Sequence, residues 1–417
     1  MKLARTIMLQ GTASDVGKSW LAAALCRIFF QDGWKVAPFK SQNMSLNGYV
    51  TKDGLEIGRA QGMQADACRI QATTDMNPIL LKPKKDGVSE VIVHGKPYRE
   101  LDARTYREQY LPQAEAIVKE ALYRLRKEYE LVVIEGAGSP AEVNLKDRDI
   151  VNMRVAEWAE APVLLVADID RGGVFASLVG TMEILTPAER DRVAGFVINK
   201  FRGDRSLLQP GLDWLEQKTG KPVVGVVPYI EHLALESEDS LSLEAESALY
   251  ADDSQHSQGP FLDIVVLRLP RMTHFSEFDP FLHEPDVRLR YISRLEQWGN
   301  PDAVIIPGSH NVREDLSFLQ NAGLKQRLKQ YAQAGGRIVV TGTGDQIMER
   351  MGIQGNRTCF HNDTLRRHWL NALREEKGWK DHPPPLAYAR LREQAFDRLA
   401  QHVRQSLDLA FIKSLLV

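Results

Sequence analysis

Residues 11–19, Gly-Thr-Ala-Ser-Asp-Val-Gly-Lys-Ser, have the types and the order that hold the phosphates of a nucleotide. A glycine-rich turn that opens a helix presents backbone N–H groups and the positive end of the helix dipole to an anion. Lys18 can then reach the β- and γ-phosphates, and Ser19 can ligate Mg²⁺. The segment therefore predicts a magnesium-nucleotide site. The residues expected to contact the nucleotide here are Gly11, Thr12, Asp15, Val16, Gly17, Lys18 and Ser19.

The loop is one residue longer than the strict P-loop pattern. Gly11 lies six positions before Gly17, and Thr12 occupies the usual position of the first glycine. The alternative interpretation is an ordinary strand–turn–helix with a lysine on its surface. Gly-Lys-Ser rarely occurs at such a junction without a phosphate, so the sequence favours phosphate binding.

The elements that must position this loop are a strand before it and a helix after it. Thr6–Leu9 predicts a buried strand, and an apolar-periodic helix opens at Trp20. The first 230 residues go on alternating short apolar strands with helical patterns. This alternation predicts an α/β fold in which helices cover both faces of a parallel sheet. The other clear strands are Leu131–Ile134, Val163–Ala167, Gly195–Ile198 and Val223–Val227.

Polar residues follow these strands, at the sheet edge that would also carry the loop. Lys40 comes after a predicted strand at Lys35–Ala37, and Glu135 stands at the end of Leu131–Ile134. We expect Lys40 to face the same crevice as the loop and Glu135 to be a second ligand of Mg²⁺. The alternatives are a solvated surface lysine and a helix-capping acid.

Two further clusters follow the next two strands. Asp168, Asp170 and Arg171 lie in a glycine-containing loop that could meet a charged substrate. Asn199 and Lys200 end the following strand and could read the edge of a purine base. Each residue alone would be interpreted as a surface charge, but four such clusters at successive strand ends favour one shared site.

The second half of the chain begins after an acidic segment. Residues 231–260 contain eight acids and no Lys or Arg, which predicts a linker between a domain at 1–230 and another at 261–417. The later segment again predicts α/β structure, with buried strands such as Leu262–Leu267 and Arg337–Val340. The last stretch, Phe396–Leu416, predicts an amphipathic helix within these bounds, and we favour packing over the binding of a partner as the use of its apolar face.

Composition excludes several classes of partner. A net charge of −2 gives no reason to expect nucleic acid or an anionic membrane. No apolar run is long enough to span a bilayer, and the N-terminus lacks a signal-peptide core. The three cysteines are far apart and form no CxxC pair, which argues against a disulfide framework or a zinc site. We therefore expect a cytoplasmic protein.

Seven stretches, taken in order, closely resemble the cobyric acid synthase family, the glutamine-dependent amidotransferases of cobalamin biosynthesis. The resemblance implies a P-loop domain similar to dethiobiotin synthetase, followed by a class I glutamine amidotransferase-like α/β domain. The stretches are residues 38–47, 56–61, 75–78, 135–142, 147–149, 168–175 and 199–204.

The resemblance implies a reaction and assigns roles to the residues above. A carboxylate on the rim of the corrin substrate, adenosylcobyrinic acid a,c-diamide, attacks the γ-phosphate of ATP and gives an acyl phosphate. Ammonia then displaces phosphate, and repeated amidation gives adenosylcobyric acid. Lys18 and Lys40 are assigned to the phosphates, and Ser19 with Glu135 to Mg²⁺. A further candidate ligand of Mg²⁺ is Asp53, and the substrate side is assigned to Asp168, Asp170 and Arg171.

The chain departs from the family where the glutaminase needs its nucleophile. A class I glutaminase carries a cysteine on a sharp strand–turn–helix elbow, with a distant histidine as base. Here the elbow position holds Gly342, or Thr341 or Thr343 if the alignment is shifted by one residue. The chain also passes from Ile353 almost directly to Phe360, so several tens of residues of this domain are absent.

The histidine expected by the family pattern aligns near Arg357, with His361 close by. Cys359 lies on the wrong side of the gap to act as the nucleophile. We therefore interpret the second domain as a shortened, inactive glutaminase. The amide synthase would use free ammonia or a separate glutaminase as donor, and a homo-oligomer could complete the shortened domain.

Two other hypotheses remain open. A non-catalytic relative could bind nucleotide or corrinoid without turnover, as a deletion inside a folded domain would suggest. A partition-type or MinD-like regulatory ATPase shares the sheet architecture. That class carries a signature lysine five residues before the P-loop lysine, where this chain has Ala13.

Overall fold

Two units make up the computed structural model, which describes residues 3–85, 87–231, 233–235, 260–353, 356–357, 360, 363–379 and 384–416. The first unit contains Met1–Met44, Tyr49–Leu235 and Glu393–Val417, and the second contains Ser45–Gly48 and Glu236–Arg392. The predicted linker at 231–260 lies almost entirely outside the described residues, as do Cys359 and His361.

The strands alternate with helices through most of both units. The strands are β1 (Arg5–Gly11), β2 (Val36–Phe39), β3 (Gln42–Met44), β4 (Gly48–Val50), β5 (Glu56–Gly58), β6 (Ile79–Lys85), β7 (Val88–Val93), β8 (Lys96–Asp102), β9 (Leu131–Glu135), β10 (Val163–Asp168), β11 (Val193–Phe201), β12 (Val223–Pro228), β13 (Leu262–Leu267), β14 (Met272–Thr273), β15 (Val287–Ile292), β16 (Ala303–Ile306), β17 (Gly308–Ser309), β18 (Arg337–Val340) and β19 (Asn356–Arg357).

The helices are α1 (Lys18–Gln31), α2 (Arg59–Ala67), α3 (Ala103–Thr105), α4 (Leu111–Glu128), α5 (Met153–Ala159), α6 (Val174–Ile184), α7 (Pro187–Arg192), α8 (Gln209–Thr219), α9 (Asp279–Leu282), α10 (Val312–Asn321), α11 (Leu324–Gln333), α12 (Gly344–Met351), α13 (Asp363–Glu376), α14 (Tyr388–Ser406) and α15 (Leu409–Ser414). A π-helical turn, Tyr106–Tyr110, leads into α4. No helix among the described residues is long and apolar enough to cross a membrane.

The central sheet of the first unit is parallel and has the strand order β12-β11-β10-β1-β9-β2. Two of its inner strands, β9 and β10, are apolar up to the acid that ends each of them and are buried along their length, as expected when both faces of a sheet are covered. The predicted α/β fold is confirmed. Because β9 and β10 pair with opposite sides of β1, a crevice forms at their carboxyl ends, where α/β proteins bind ligands.

A smaller sheet in the first unit has the order β3-β6-β7-β8 and leaves β8 at its edge. Its first strand, β3, begins three residues after β2 ends, so this sheet is joined directly to the crevice edge of the central sheet.

The second unit contains a five-stranded parallel sheet with the order β15-β13-β16-β18-β19. It has its own core of buried aliphatic and aromatic side chains, among them Phe278, Phe281 and Phe360. The second unit thus has the α/β structure that the sequence predicts for the later segment.

The end of the chain differs from the sequence interpretation in two ways. The expected single helix over Phe396–Leu416 is interrupted after Ser406, and Asp408 caps α15 by accepting a hydrogen bond from the Phe411 N–H. Glu393–Val417 also groups with the first unit, whereas the sequence placed it in a domain at 261–417. The physical reason is an ion-pair cluster: the buried guanidinium of Arg27 lies 2.8 Å from carboxylate oxygens of both Glu393 and Asp397.

Candidate active site

The loop between β1 and α1 has a backbone that only small residues can follow at its tightest point. Gly17 has φ 93°, in the left-handed region. A Cβ added to Gly17 would lie 2.2 Å from Asn199 Nδ2, so both the conformation and the space require glycine there. The ammonium of Lys18 donates hydrogen bonds to Ala13 O at 2.9 Å and Gly138 O at 3.1 Å. The loop therefore curls around a fixed positive charge at the start of α1, as a phosphate site requires.

Glu135 is the centre of a buried group of polar side chains at the end of β9. Its Oε1 accepts hydrogen bonds from Ser19 Oγ at 2.8 Å and from Lys40 Nζ at 2.9 Å. Its Oε2 accepts from Gln64 Nε2 at 2.6 Å and Gln61 Nε2 at 3.4 Å. Only 1% of the Glu135 residue surface is exposed, and a buried carboxylate is tolerated only with such partners.

The structure thus brings together Ser19, Lys40 and Glu135, which the sequence placed at the same sheet edge. Sequence reasoning missed Gln61 and Gln64, which project from α2 three positions apart and hold the second carboxylate oxygen. Neutral amides give no charge signal in a sequence. The only available hint was that Gln61 ends one of the family-like stretches.

The oxygen atoms of Ser19 and Glu135 suit Mg²⁺, which prefers hard oxygen ligands and uses only one or two protein groups beside water and phosphate. Within the described residues, no group of three or more His, Cys, Asp and Glu side chains could hold a metal. A site of this kind would therefore depend on the nucleotide to complete its coordination. These two residues fit Mg²⁺ when it arrives with phosphates.

Asp53 does not join this group. It is exposed in the turn between β4 and β5, where its Oδ1 accepts a hydrogen bond from Thr51 Oγ1 at 2.6 Å. Among the contacts of the described residues, none links Asp53 to Ser19 or Glu135. Asp53 thus stabilises the turn through its hydrogen bond with Thr51, and the geometry gives no support to its expected role in binding Mg²⁺.

Two side chains at the end of β11 contact the backbone of the loop between β1 and α1, which we call the phosphate loop. Asn199 Nδ2 donates to Val16 O at 2.8 Å, and Lys200 Nζ donates to Asp15 O at 2.6 Å. Lys200 adopts φ 60°, which is unusual for a residue other than glycine. The sequence predicts that these side chains face a purine base. In the structure each of them donates at least one hydrogen bond to the backbone of the phosphate loop.

The predicted substrate loop also lies against this side. Asp168 Oδ2 accepts a hydrogen bond from Lys200 Nζ at 2.8 Å, and Arg171 lies 3.6 Å from both Asp168 and Asp15. Asp170 instead pairs with Arg202 at 3.3 Å. Asp168, Arg171 and Lys200 therefore form one charged cluster beside Asp15. The Asp170 carboxylate lies outside it, although the Asp170 N–H donates to Asp168 Oδ1 at 2.8 Å.

The second unit keeps the elbow that a glutaminase would use for its nucleophile. β18 ends at Val340, α12 begins at Gly344, and Gly342 between them has φ 51°. A Cβ at Gly342 would lie 3.3 Å from Gly308 Cα, while Thr343 is tied to Ser309 by hydrogen bonds of 2.7 and 2.8 Å. Of the three positions left open by the sequence, the left-handed apex is Gly342, which has no side chain to react.

A buried acid supports the loop opposite this elbow. Asp315 accepts hydrogen bonds from Ser309 Oγ at 2.6 Å and from the Arg271 N–H at 3.1 Å. Burial raises the pKa of Asp315 to about 6, against the lowering effect of these hydrogen bonds. The elbow and its facing loop are thus held in a fixed arrangement although the apex is glycine.

Comparison with known proteins gives matches over both units. A family model described as the CobQ/CobB/MinD/ParA nucleotide binding domain matches residues 7–243. A second, described as the CobB/CobQ-like glutamine amidotransferase domain, matches residues 263–355. The second match ends where the sequence analysis places the missing segment.

Curated relatives support the same division. A cobyric acid synthase from Geobacillus sp. (strain WCH70) is 44% identical over 498 aligned positions, covering 99% of this chain and 98% of the relative. Those positions hold about 413 residues of this chain (99% of 417), which leaves about 85 that only the relative occupies. A cobyric acid synthase from Desulforamulus reducens is 55% identical over 351 positions, covering 84% of this chain and 67% of the relative.

Proposed function

The chain belongs to the cobyric acid synthase family, and we propose that it amidates corrin-ring carboxylates with ATP through an acyl phosphate, using ammonia that its own second unit does not generate. Members of this family are enzymes that form C–N bonds in cobalamin biosynthesis. The observation that supports the synthetase reaction most strongly is the buried convergence of Ser19, Lys40 and Gln64 on the Glu135 carboxylate, beside the phosphate loop.

The first step requires neutralisation of charge on a phosphoryl group, because phosphoryl transfer needs positioning and electrostatic stabilisation more than covalent help. We assign this role to the ammonium groups of Lys18 and Lys40 and to the backbone N–H groups that open α1. Ser19 and Glu135 would hold Mg²⁺, which would supply further positive charge to neutralise the phosphates. A carboxylate oxygen of the corrinoid forms a bond to the γ-phosphorus, and ADP leaves with the electron pair of the bond that breaks.

The second step forms the amide. The nitrogen of ammonia attacks the acyl carbon, and inorganic phosphate leaves with the electrons of the C–O bond. The nitrogen then loses one proton to solvent or to the departing phosphate. This step consumes no further ATP, and the residues of the first unit need only hold the acyl phosphate away from water.

The source of ammonia is the second part of the proposal. The elbow apex is Gly342, so a thiolate cannot form there. The match to the amidotransferase model ends at residue 355, and about 85 aligned positions of a near full-length relative have no counterpart here. We propose that free ammonia, or ammonia from a separate glutaminase, replaces the product of an internal glutaminase. We also propose a cytoplasmic location for the chain, which is compatible with either source of ammonia.

The test is a mass-spectrometric count of amides on adenosylcobyrinic acid a,c-diamide incubated with the purified chain and MgATP. One reaction receives ¹⁵N-ammonium and the other receives glutamine labelled with ¹⁵N in its amide. Labelled product with ammonium alone supports both parts of the proposal. Equal labelling from glutamine would show that the chain hydrolyses glutamine after all.

A Lys40→Met variant provides the control for contaminating synthetase. It should form no amide with either donor, because one of the two phosphate-facing ammonium groups is gone. Absence of product from the native chain with both donors, while it still binds ATP and the corrinoid, would instead favour a non-catalytic binding protein.

A further inference from the structure

Three tyrosines form a continuous aromatic group in the first unit. The ring centres of Tyr98 and Tyr110 lie 5.5 Å apart, and those of Tyr106 and Tyr110 lie 5.2 Å apart. Both pairs are tilted by about the same angle, 40° and 39°. Spacings of this kind are typical of favourable aromatic pairs. We call these three residues the tyrosine group.

The tyrosine group is built from two different elements. Tyr98 belongs to β8, the edge strand of the small sheet, while Tyr106 and Tyr110 open and close the π-helical turn before α4. π-helical turns are rare in proteins and often occur at functional sites. Here the turn places two tyrosines, four positions apart, on the same side as Tyr98.

One member of the tyrosine group is hydrogen-bonded to a residue that is close in sequence to Lys40. Tyr106 Oη donates a hydrogen bond to Gln42 Oε1. Gln42 follows Lys40 by two residues, and the Lys40 ammonium is the cation that contacts Glu135. The tyrosine group therefore contacts the first residue of β3, two positions after Lys40 in the sequence.

Tyr110 carries an unsatisfied hydroxyl. The residue is only 4% exposed, and Tyr110 Oη is buried without a hydrogen-bond partner among the described residues. An orphan buried hydroxyl costs free energy, so it indicates a group that a ligand can satisfy. Burial, with a further contribution from Tyr98, raises the pKa of Tyr110 to about 12. Its hydroxyl therefore remains protonated and able to donate at any ordinary pH.

The exposed side of the group has the character expected of a binding surface for a flat anion. Tyr98 is 44% exposed, which is high for a large aromatic side chain. The guanidinium of Arg99 lies 5.2 Å from the Tyr98 ring centre, a cation–π distance, and adds positive charge to the same surface.

We propose that the tyrosine group binds the corrinoid substrate, an inference that rests on the amidation reaction proposed above. Tyr98 would lie against the macrocycle, Arg99 would pair with one of its carboxylates, and the Tyr110 hydroxyl would donate to an amide or carboxylate oxygen at its rim. A corrinoid that still carries several carboxylates is large, partly apolar and anionic. The exposed surface offers an aromatic plane and a cation, and the buried Tyr110 hydroxyl lies on the ring that packs against this plane. Tyr98, Arg99 and Tyr110 are then specificity residues outside the phosphate site.

The experiment measures equilibrium binding of adenosylcobyrinic acid a,c-diamide and of MgADP to separate samples of the full chain. Tyr98→Leu keeps an apolar side chain on an exposed edge strand and removes only the ring. We expect it to weaken corrinoid binding about tenfold and to leave MgADP binding unchanged. Tyr110→Phe, which removes one oxygen atom, should weaken corrinoid binding about fivefold.

Tyr123→Leu is the matched control, because Tyr123 is also about half exposed but lies on α4 and has no contact with the tyrosine group in the described structure. If Tyr98→Leu and Tyr110→Phe bind the corrinoid as tightly as Tyr123→Leu does, the inference is overturned and the proposed function is left intact. Failure of the native chain to bind the corrinoid at all would overturn the proposed function itself. Equal weakening of corrinoid and MgADP binding would show a general loss of structure and would also count against the inference.

Discussion

Lys40 Nζ lies 2.9 Å from Glu135 Oε1, and both side chains are almost completely buried. Removing one partner of a buried ion pair leaves the other charge without compensation. The pair therefore contributes to stability as well as to the proposed phosphoryl transfer, and the two contributions can be separated by substitution.

Lys40→Met should lower the free energy of unfolding by about 3 kcal/mol, because the Glu135 carboxylate then keeps only neutral donors. The double variant Lys40→Met/Glu135→Gln should recover most of this loss, since no uncompensated charge remains. Chemical denaturation of the three proteins measures the effect. The double variant should still form no amide, and recovery of activity together with stability would show that neither charge serves the reaction.

Asn199→Ala should weaken nucleotide binding about fivefold, because it removes the hydrogen bond that fixes Val16 O in the phosphate loop. The loss should be the same for ATP and for inorganic tripolyphosphate, which has no base. Calorimetric titration of both ligands gives the comparison. A loss confined to ATP would support the purine-reading role instead, and Lys200→Met provides a second case through its contact with Asp15 O.

Gly17→Ala should weaken MgATP binding by more than tenfold, since the new methyl group would collide with the Asn199 amide and the residue must keep a positive φ. Gly33→Ala is the control. Gly33 also has a positive φ, 88°, but no atom lies within 4 Å of the added Cβ. Both variants should lose about 1 kcal/mol of stability, and only Gly17→Ala should lose nucleotide affinity.

Arg27→Ala should lower the free energy of unfolding by about 1–2 kcal/mol through lost packing and lost hydrogen bonds. Arg69→Ala, which removes an exposed partner of the same Glu393, should cost less than about 0.5 kcal/mol. Thermal unfolding of the two variants beside the native chain measures the difference. Equal effects would mean that burial of Arg27 adds nothing to the pair.

The same cluster predicts a pH dependence. Burial acts to raise the pKa of Glu393 and of Asp397, but hydrogen bonds and positive charge outweigh it, first those of Arg27 and then those of its neighbours such as Arg69. Both pKa values therefore lie below their ordinary 4.5 and 3.8. Groups whose pKa is lowered in the folded state stabilise it above the ordinary pKa, and this stability is lost as the pH falls through the lower, folded value. The difference in unfolding free energy between the native chain and Arg27→Ala should therefore be largest at pH 7 and should shrink as the pH falls from about 5 to 3. A difference that is the same at pH 7 and at pH 3 would leave only lost packing and would exclude the electrostatic explanation.

The sequence could predict the parts of the site that depend on regular periodicity. Because parallel strands end at a common edge, Ser19, Lys40 and Glu135 could be placed together without coordinates. Asp53 could not, because it lies in a turn whose position relative to the sheet is not determined by any repeat. Gln61 and Gln64 were missed since a neutral amide on a helix has the same sequence signature whether or not it holds a carboxylate.

The sequence interpretation placed the C-terminal helices in the second domain because they follow it in the chain, and this placement was wrong. An amphipathic pattern shows that the last helices need an apolar surface, but it does not say which one. The pairing of Arg27 with Asp397 spans 370 positions and has no local signal. Gly342 was one of three candidates for the same reason: only the backbone angle identifies the apex of a turn.

The return of Glu393–Val417 to the first unit affects how this protein is made in the cell. Domains usually fold in order as they leave the ribosome, with the N-terminal one first. Here the binding partners of Arg27 are translated after the whole of the second unit. The first unit therefore stays incomplete until residues 393–416 have been translated, and a product terminated before them would lack part of that unit even though it contains the whole loop between β1 and α1.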